Sequence, residues 1–328
     1  MSFQISQSSH VSGFRNGIMS NMGKGEHIPV MLESSVEKLI TDPGGQYLDA
    51  TFGRGGHSKA ILDCLNPSAR LWVLDRDPEA VMVARNLADK DARVKVLQGS
   101  FSQLSDLLPI PVGHPFLDGV IFDFGVSSPQ LDCSERGFSF QQDGPLDMRM
   151  DNEHGLSAMD WLARASEDEL IYVFETYGEE VHAREIAKKI LEVRIKDPIQ
   201  TTKDLVSVVL SALPGWNQKR HPATKIFQAI RMHVNDELKE IIKGLPIVIE
   251  RMKPGSRMIT LTYHSLEHTL VSRVLKQKLS AGNIAVELTP NLPQLRRIGR
   301  AYRATQCELQ QNPRARSALL RVWEVGCV

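Results

Sequence analysis

The stretch Tyr47-Leu48-Asp49-Ala50-Thr51-Phe52-Gly53-Arg54-Gly55-Gly56-His57 decides the fold. A short apolar run ends in the carboxylate of Asp49, a glycine-rich turn follows, and the amphipathic run Ser58 to Leu65 comes next. This order predicts a strand, a tight turn and a helix. Glycines at such a turn allow positive φ and let a ligand approach the bare main chain, while the helix begins with unpaired N–H groups. The pattern therefore indicates a nucleotide-like ligand.

A second acidic residue supports this interpretation. Asp75 ends the next apolar run, Leu71-Trp72-Val73-Leu74. In dinucleotide-binding folds an acidic side chain roughly 20 residues beyond the glycines accepts hydrogen bonds from ribose hydroxyls. The spacing thus predicts a cofactor that contains adenosine.

The negative charge of Asp49 and the absence of a third glycine indicate which cofactor binds here. A nicotinamide fingerprint requires G-x-G-x-x-G, or Ala at the third position, but Ser58 stands there after Gly53 and Gly55. Asp49 would also face a pyrophosphate dianion, which is unfavourable. S-adenosylmethionine has no phosphate, and its ammonium and sulfonium groups favour a nearby anion. We therefore predict a methyltransferase site. The pair Asp49 and Asp75 disfavours the alternative, an ordinary α/β turn with solvated acids.

Composition limits the other possibilities. A chain of 328 residues with a formal net charge of zero can bury a large core, and its overall charge neither requires nor excludes a nucleic-acid partner. Cys64, Cys133, Cys307 and Cys327 form no C-x-x-C pair, so we expect neither a disulfide framework nor a metal site. No apolar run approaches the roughly 20 residues that span a bilayer. We expect a cytoplasmic protein without membrane association.

Alternating elements predict the fold class. From Tyr47 to Asp123, four predicted strands alternate with helices, which implies a parallel sheet with right-handed crossovers. Ligands bind at the carboxyl ends of such strands, where Asp49, Asp75, the Gly99-Ser100-Phe101 turn and Asp123 fall. We predict an α/β Rossmann-like class I methyltransferase sheet.

The alternation stops after Asp123 and resumes near the end of the chain. Helical patterns fill the middle, and Ser265 is the expected cap of a helix over 265–279. A strand over 258–262 and two late strands over 284–288 and 318–324 would close the sheet with an antiparallel pair. The predicted domains are a disordered tail over 1–26, a methyltransferase domain over 27–135 and 236–328, and an inserted all-helical substrate-recognition domain over 136–235.

Two further segments suggest chemistry. Asp123 follows the fourth strand, where it would hold an amine acceptor and take up its proton, or serve as a cofactor ligand or loop brace. The acid- and arginine-rich segment over 135–151 is either a substrate-facing lid or a surface linker, and its composition favours the linker.

Basic residues are segregated from acidic ones. Cations and aromatic side chains are interleaved between Trp216 and Asn235, and the tail over 296–321 is rich in arginine. Such segments suit a phosphate backbone and unstacked bases, with a solvated basic face as the alternative. The cations concerned are Lys219, Arg220, Lys225, Arg231, Arg296, Arg297, Arg300, Arg303, Arg314, Arg316 and Arg321.

Several ordered segments resemble one known family, the bacterial ribosomal RNA small-subunit methyltransferase H family, over nearly the whole chain after Glu26. They are His27-Ile28-Pro29-Val30, Asp49 to Ser58, Leu74 to Pro78, Gly125 to Asp132, Glu135 to Ser139, Asp143 to Met150, Thr176 to Glu180, His221 to Thr224, His264 to Glu267 and Asn312 to Ser317. His268 stands where the family usually has an aspartate.

The resemblance implies S-adenosylmethionine-dependent methylation of the exocyclic N4 of a cytidine in the decoding region of 16S ribosomal RNA. The substrate would be that RNA or the small ribosomal subunit, and a homodimer is possible. The resemblance leaves the proton acceptor open among Asp123, loop carbonyls, Asp147 and water. An RNA-binding assembly factor without turnover is the alternative function. The implied cofactor contacts are Gly55, Gly56, His57, Asp75, Phe101, Asp123 and Gln130.

Overall fold

The structure is a computed structural model that describes residues 29–111, 113–217, 219–276 and 292–326. The predicted disordered tail and the strand predicted over 284–288 lie outside the described residues. Within these ranges, the architecture is one mixed sheet flanked by helices, with a further group of helices between the fourth and fifth strands.

The sheet has the order β3-β2-β1-β4-β5-β7-β6, and its strands are β1 Gln46–Asp49, β2 Arg70–Asp75, β3 Val94–Gln98, β4 Leu117–Asp123, β5 Met252–Thr262, β6 Leu295–Tyr302 and β7 Leu319–Val325. The first five strands pair in parallel, whereas β7 is antiparallel to both β5 and β6. The predicted Rossmann-like sheet is confirmed, and the strand predicted over 318–324 is β7; its antiparallel partner β6 was not predicted. Because the strand order reverses beside β1, the carboxyl ends of β1 and β4 open a crevice for a ligand.

The helices are α1 Leu32–Leu39, α2 Gly56–Cys64, α3 Pro78–Ala88, α4 Leu104–Leu107, α5 Ser128–Asp132, α6 Ala158–Arg164, α7 Glu167–Gly178, α8 Ala183–Arg194, α9 Thr202–Ala212, α10 Ala223–Val234, α11 Glu237–Ile249, α12 Ser265–Leu275 and α13 Gln306–Gln311. Sequence signals explain several of their starts. Asp77 caps α3 through the N–H of Glu79, with Pro78 at the first helical position.

Buried side chains cover both faces of the sheet. Alternation along β1 turns Tyr47 to the face that packs against α1 and α2, and Leu48 to the face that packs against α11 and α12. Tyr47 and Leu48 are both 0% exposed. Full burial of such side chains contributes about 1.5–3 kcal/mol each, so the two layers fix the sheet from both sides.

The helices between β4 and β5 have a hydrophobic cluster of their own. It includes Trp161, Phe174, Ile190 and Ile230, and it also takes in Phe138, Leu146 and Met148 from the segment that precedes the helices. That segment is therefore not a surface linker, and the preference for a linker was wrong. The clustering supports the predicted helical insertion over 136–235, whose boundaries stay a prediction.

Two local predictions differ from the structure. The arginine-rich tail contains strand β6, Leu295–Tyr302, which was not predicted. Its side chains alternate only weakly between buried and exposed positions, so its sequence does not look like a strand. His264, not Ser265, caps α12, since its Nδ1 accepts from the N–H of Glu267 at 3.4 Å. Among the described helices, none is both long enough and apolar enough to cross a membrane.

Candidate active site

The glycine turn joins β1 to α2 in a conformation that only glycine accommodates well. Gly53 and Gly55 have φ of 55° and 77°, in the left-handed region. A Cβ on Gly56 would lie 2.0 Å from Cγ of Pro29, so the start of α2 fits directly under the N-terminal segment. The predicted strand, turn and helix are confirmed here.

Asp49 does not face the ligand crevice as predicted. Its side chain is 1% exposed, and its carboxylate accepts hydrogen bonds from Oγ of Ser58 at 2.6 Å and from the N–H of Thr51 at 3.1 Å. Burial raises the pKa of Asp49, while the neighbouring His57 and the hydroxyl of Ser58 lower it. The residue therefore braces the turn from inside and does not present a charge to a ligand.

Asp75 lies at the end of β2 and lines the crevice as predicted. Oδ2 accepts from the N–H of Gly53 at 2.8 Å and Oδ1 from the N–H of Asp77 at 2.9 Å. Burial raises its pKa, and the backbone N–H groups of Asp77, Gly53 and Arg76 lower it. A carboxylate offers about four lone-pair positions, more than these backbone donors occupy, so it can also accept from a hydroxyl group.

Phe101 provides an aromatic wall after β3. Its ring lies edge-on to Phe122 at 5.4 Å and to Phe124 at 6.0 Å between centroids. The N–H and Oγ of Ser102 each donate to Glu240 of α11 at 2.9 Å, which fixes this turn against the helix. An apolar ring at a crevice wall suits a flat heterocycle.

Asp123 lies at the end of β4 and forms the centre of a polar cluster. Its Oδ1 accepts from the hydroxyl of Tyr263 at 2.6 Å, and its backbone N–H donates to Oγ1 of Thr51 at 2.7 Å. Burial raises the pKa of Asp123 to about 7, against the lowering effect of the Tyr263 hydroxyl. Nδ1 of His57 lies 3.9 Å from Oδ2, and burial lowers the pKa of that histidine.

Gln130 belongs to a buried bridge beside the crevice. Its Oε1 accepts from the N–H of Ser127 at 2.9 Å, and its Nε2 donates to Oδ2 of Asp77 at 2.7 Å. Arg136 donates to the same oxygen at 3.0 Å. The bridge connects α5 and the segment after it to the cap of α3, two residues from Asp75.

These elements enclose a cavity of about 960 Å³ at the carboxyl edge of the sheet. Of the predicted contacts, Gly56, His57, Asp75, Phe101, Asp123 and Gln130 line it. Gly55 and Asp147 do not line it: Gly55 lies close to the ring of Phe52, and both oxygens of Asp147 accept from the guanidinium of Arg149. Acidic side chains outnumber Lys and Arg in the lining; they are Asp63, Asp75, Asp77, Asp123, Glu237, Glu240 and Glu267.

Sequence reasoning missed several lining residues. Tyr263 directly follows β5, so the rule that ligands bind at strand ends would have found it. Arg231 was predicted to face RNA, but it lines the cavity and binds Glu237 at 2.7 and 2.9 Å. The sequence gives no signal for this pair, since the two residues belong to different helices.

In the described part of the chain, a group of potential metal ligands occurs at one largely exposed place outside the cavity. Ligand atoms of Asp151, Glu153 and His154 lie within 4.8 Å of one another, and Glu153 and His154 are exposed. Nδ1 of His154 lies 3.0 Å from Oδ2 of Asp151. Nothing else in the described residues points to a cation there.

Residues 24–325 match the model of the MraW methylase family. The chain belongs to the MraW methylase family. Among its curated relatives, the ribosomal RNA small subunit methyltransferase H of Chromohalobacter salexigens is 47% identical, over 90% of this chain and 90% of the relative. The protein of that name from Thioalkalivibrio sulfidiphilus is 47% identical, over 93% of this chain and 99% of the relative. The one from Stenotrophomonas maltophilia is 46% identical, over 90% of this chain and 92% of the relative.

Membership in the MraW methylase family confirms the resemblance of the sequence and identifies the cofactor as S-adenosylmethionine. The residues present fit this group. The acidic lining suits a positively charged sulfonium and ammonium, the carboxylate of Asp75 suits a ribose hydroxyl, and Phe101 suits an adenine ring.

Proposed function

We propose that this MraW methylase methylates the exocyclic N4 of a cytidine in the decoding region of 16S ribosomal RNA. The names of its relatives support ribosomal RNA of the small subunit as the substrate. The finer assignment, to N4 of cytidine, rests on the resemblance and on one observation, the carboxylate of Asp123 in the cavity wall, which is oriented by the hydroxyl of Tyr263.

The cofactor supplies an electrophilic methyl group on a sulfonium sulfur. Asp75 would hold the ribose, Phe101 would pack against the adenine, and Gly56, His57 and Gln130 would complete the cofactor side of the cavity. The predicted contact at Gly55 would act only through the backbone of the turn. These residues position two reactants, which is the main contribution a protein makes to such a displacement.

Asp123 would provide the proton acceptor. The cytosine amine is conjugated to its ring and is a weak nucleophile, so an acceptor must align its N–H and take the proton as the nitrogen–carbon bond forms and the carbon–sulfur bond breaks. Burial raises the pKa of this carboxyl group to about 7, which makes the carboxylate a better proton acceptor near neutral pH than an exposed one. The donor hydroxyl of Tyr263 fixes the orientation of the carboxylate.

The target base would have to leave its stack to reach this cavity, as in other enzymes that modify bases. The helical segment over 136–235 and the arginine-rich tail are the proposed contacts with RNA or with the small subunit. A homodimer and a cytoplasmic location stay predictions.

Methyl transfer to RNA tests the proposal directly. Small-subunit RNA and small subunits from a strain that lacks this protein are incubated with labelled S-adenosylmethionine, and the product nucleoside is compared by mass spectrometry with N4-methyl and C5-methyl standards. We expect N4-methylcytidine at one position. RNA with uridine at that position lacks the amine and should accept no label.

Two matched variants test the proton acceptor. Asp123→Asn should slow transfer by about 10²- to 10⁴-fold. Asp147→Asn should leave it unchanged, because Asp147 lies outside the cavity and its partly exposed pair with Arg149 is worth only about 0–1 kcal/mol. If the wild-type protein binds the RNA but transfers no labelled methyl group to it, the alternative function, an RNA-binding assembly factor without turnover, is favoured.

A further inference from the structure

A cluster of cations lies at the edge of the sheet beside the cavity. Arg321 of β7 pairs with Thr260 of β5, and Arg297 of β6 pairs with Trp323 of β7. Alternate residues of a strand face the same side, so Arg321, Trp323 and Arg297 share the face that packs against α12. His268 from the first turns of α12 contacts the hydroxyl of Thr262 on that face.

This cluster has little counter-charge of its own. Nη1 of Arg321 is buried and has no hydrogen-bond partner among the residues that the structure describes. Burial, and then the charge of Arg297, lower the pKa of Arg321. Burial, and then Arg321, lower the pKa of His268; His264 and Arg303 lower it further, and Glu267 alone opposes them.

The nearby acids are engaged elsewhere. Glu324 lies on the opposite face of β7, where it binds Arg296 and Arg257. Glu267 accepts from the N–H of Tyr263 at 2.8 Å and contacts His264 at 3.0 Å. Neither carboxylate is therefore available to Arg321.

A partly buried guanidinium without an anion is costly, and a ligand anion would remove that cost. Phosphate is the best match, because its oxygens fit the fork of an arginine and two arginines approach from adjacent strands. Other tail arginines are less suited, since Arg296 binds Glu324 and Arg314 binds Asp132.

We propose that Arg321, Arg297, Arg303 and His268 bind a backbone phosphate of the RNA next to the nucleotide whose base enters the cavity. The position supports this, because Thr262 contacts His268 and the next residue, Tyr263, lines the cavity. The site rests on the proposed function for its ligand. It would hold the strand while the base is turned out of its stack.

The salt dependence of RNA binding tests the site. Unmodified small-subunit RNA made by transcription is titrated with the full-length protein at several salt concentrations. In a plot of log K for RNA binding against log salt concentration, loss of one phosphate contact should make the slope shallower by about 0.7–0.9. We expect this change, and about tenfold weaker binding at low salt, for Arg321→Gln and for the exposed Arg297→Gln.

Two controls separate charge from folding. Arg321→Lys keeps the charge and should restore most of the slope. Arg70→Gln removes an exposed cation at the start of β2, four strands away from β7, and should change neither slope nor affinity. Cofactor affinity, measured by calorimetry, should stay at the wild-type value in all four variants.

The outcomes distinguish this site from the proposed function. If methyl transfer is normal while Arg321→Gln and Arg297→Gln keep the wild-type slope and affinity, the phosphate site is refuted and the function stands. If the wild-type protein transfers no methyl group to RNA but these two variants lose the slope, the function fails and the phosphate site stands.

Discussion

Asp123 is the proposed proton acceptor, and two opposite effects act on the pKa of its carboxyl group. Burial raises its pKa, and the hydrogen bond from Tyr263 lowers it, with a result of about 7. A general base is most effective when its pKa lies near the working pH. The combination of a buried carboxylate and one donor thus suits a proton acceptor at neutral pH.

The pH profile of methyl transfer should report this group. In the wild-type protein the single-turnover rate should rise with pH, as the carboxyl group of Asp123 ionises, and level off above about pH 7. Asp123→Asn should be slow at every pH and should lack this rise. A variant profile parallel to that of the wild-type protein would assign the rise to another group.

The same substitution should change stability in a pH-dependent way. The pKa of Asp123 is raised on folding from 3.8 to about 7, so the folded state binds more protons in that window and wild-type stability falls as pH rises through it. Asp123→Asn lacks this loss. The urea midpoint of Asp123→Asn minus that of the wild-type protein should therefore be larger above pH 7 than below pH 4. An equal difference at both pH values would contradict the raised pKa of Asp123.

Tyr263 acts on the reaction through Asp123. Tyr263→Phe removes the hydroxyl that donates to Oδ1, and this bond lowers the pKa of Asp123. We expect the rising limb of the rate profile to move to higher pH, with the plateau rate less affected. Tyr302→Phe, at an exposed tyrosine, serves as the control. A purely structural role would lower the plateau and leave the midpoint unchanged.

At the scale of elements, close approach of α11 to the Phe101 turn shapes the aromatic wall. Gly244 of α11 permits it, because a Cβ there would lie 2.2 Å from Cβ of Phe101. Alanine is normally better than glycine in a helix by about 1 kcal/mol. Here the added Cβ would also lie 3.2 Å from the Phe101 backbone, and this crowding should outweigh the gain in helix propensity.

Gly244→Ala should therefore weaken cofactor binding by displacing Phe101, and calorimetry with S-adenosylmethionine measures the loss. Lys243→Ala changes the adjacent exposed residue of the same helix and should bind the cofactor normally. Equal affinities for Gly244→Ala and the wild-type protein would show that Phe101 does not hold the adenine.

The order of strands and helices also determines how much of the fold and of the candidate site could be predicted from the sequence. The alternation of strands and helices gave the sheet, and strand ends located Asp75, Phe101 and Asp123 in one cavity. The orientation of Asp49 could not be predicted, since it depends on a hydroxyl nine residues away in the next helix. Strand β6 was missed because its exposed arginines pair through the backbone with β7, a partner distant in sequence.

At the scale of the whole molecule, the helical segment and the sheet meet through buried polar contacts. Nη2 of Arg76 donates to the carbonyl of Asn235 at 2.8 Å, and the side chain of Asn235 binds the backbone of Met148 and Met150 at 2.8 Å. Arg136 binds Asp77, which caps α3 and lines the cavity. The proposed RNA-contacting part is thus held next to the cavity.

Arg136 should carry much of this connection. Its side chain is nearly buried, and besides Asp77 it donates to the carbonyls of Arg149 and Met150 at 3.0 and 2.9 Å. Removing one partner of a buried ion pair costs about 3–5 kcal/mol, because the other charge stays buried. Arg136→Met should therefore lower the free energy of unfolding by that amount, as read from urea denaturation.

Arg149→Met is the matched control, since Arg149 lies in the same segment but pairs locally with Asp147, and both side chains are about a fifth exposed. A pair of this kind contributes about 0–1 kcal/mol. If the contact of Arg136 connects the two parts, its loss should also weaken both cofactor and RNA binding, whereas Arg149→Met should affect neither. Equal effects of the two substitutions would mean that the helical segment is held to the sheet by its other contacts, such as that of Arg76 with Asn235, and not by Arg136.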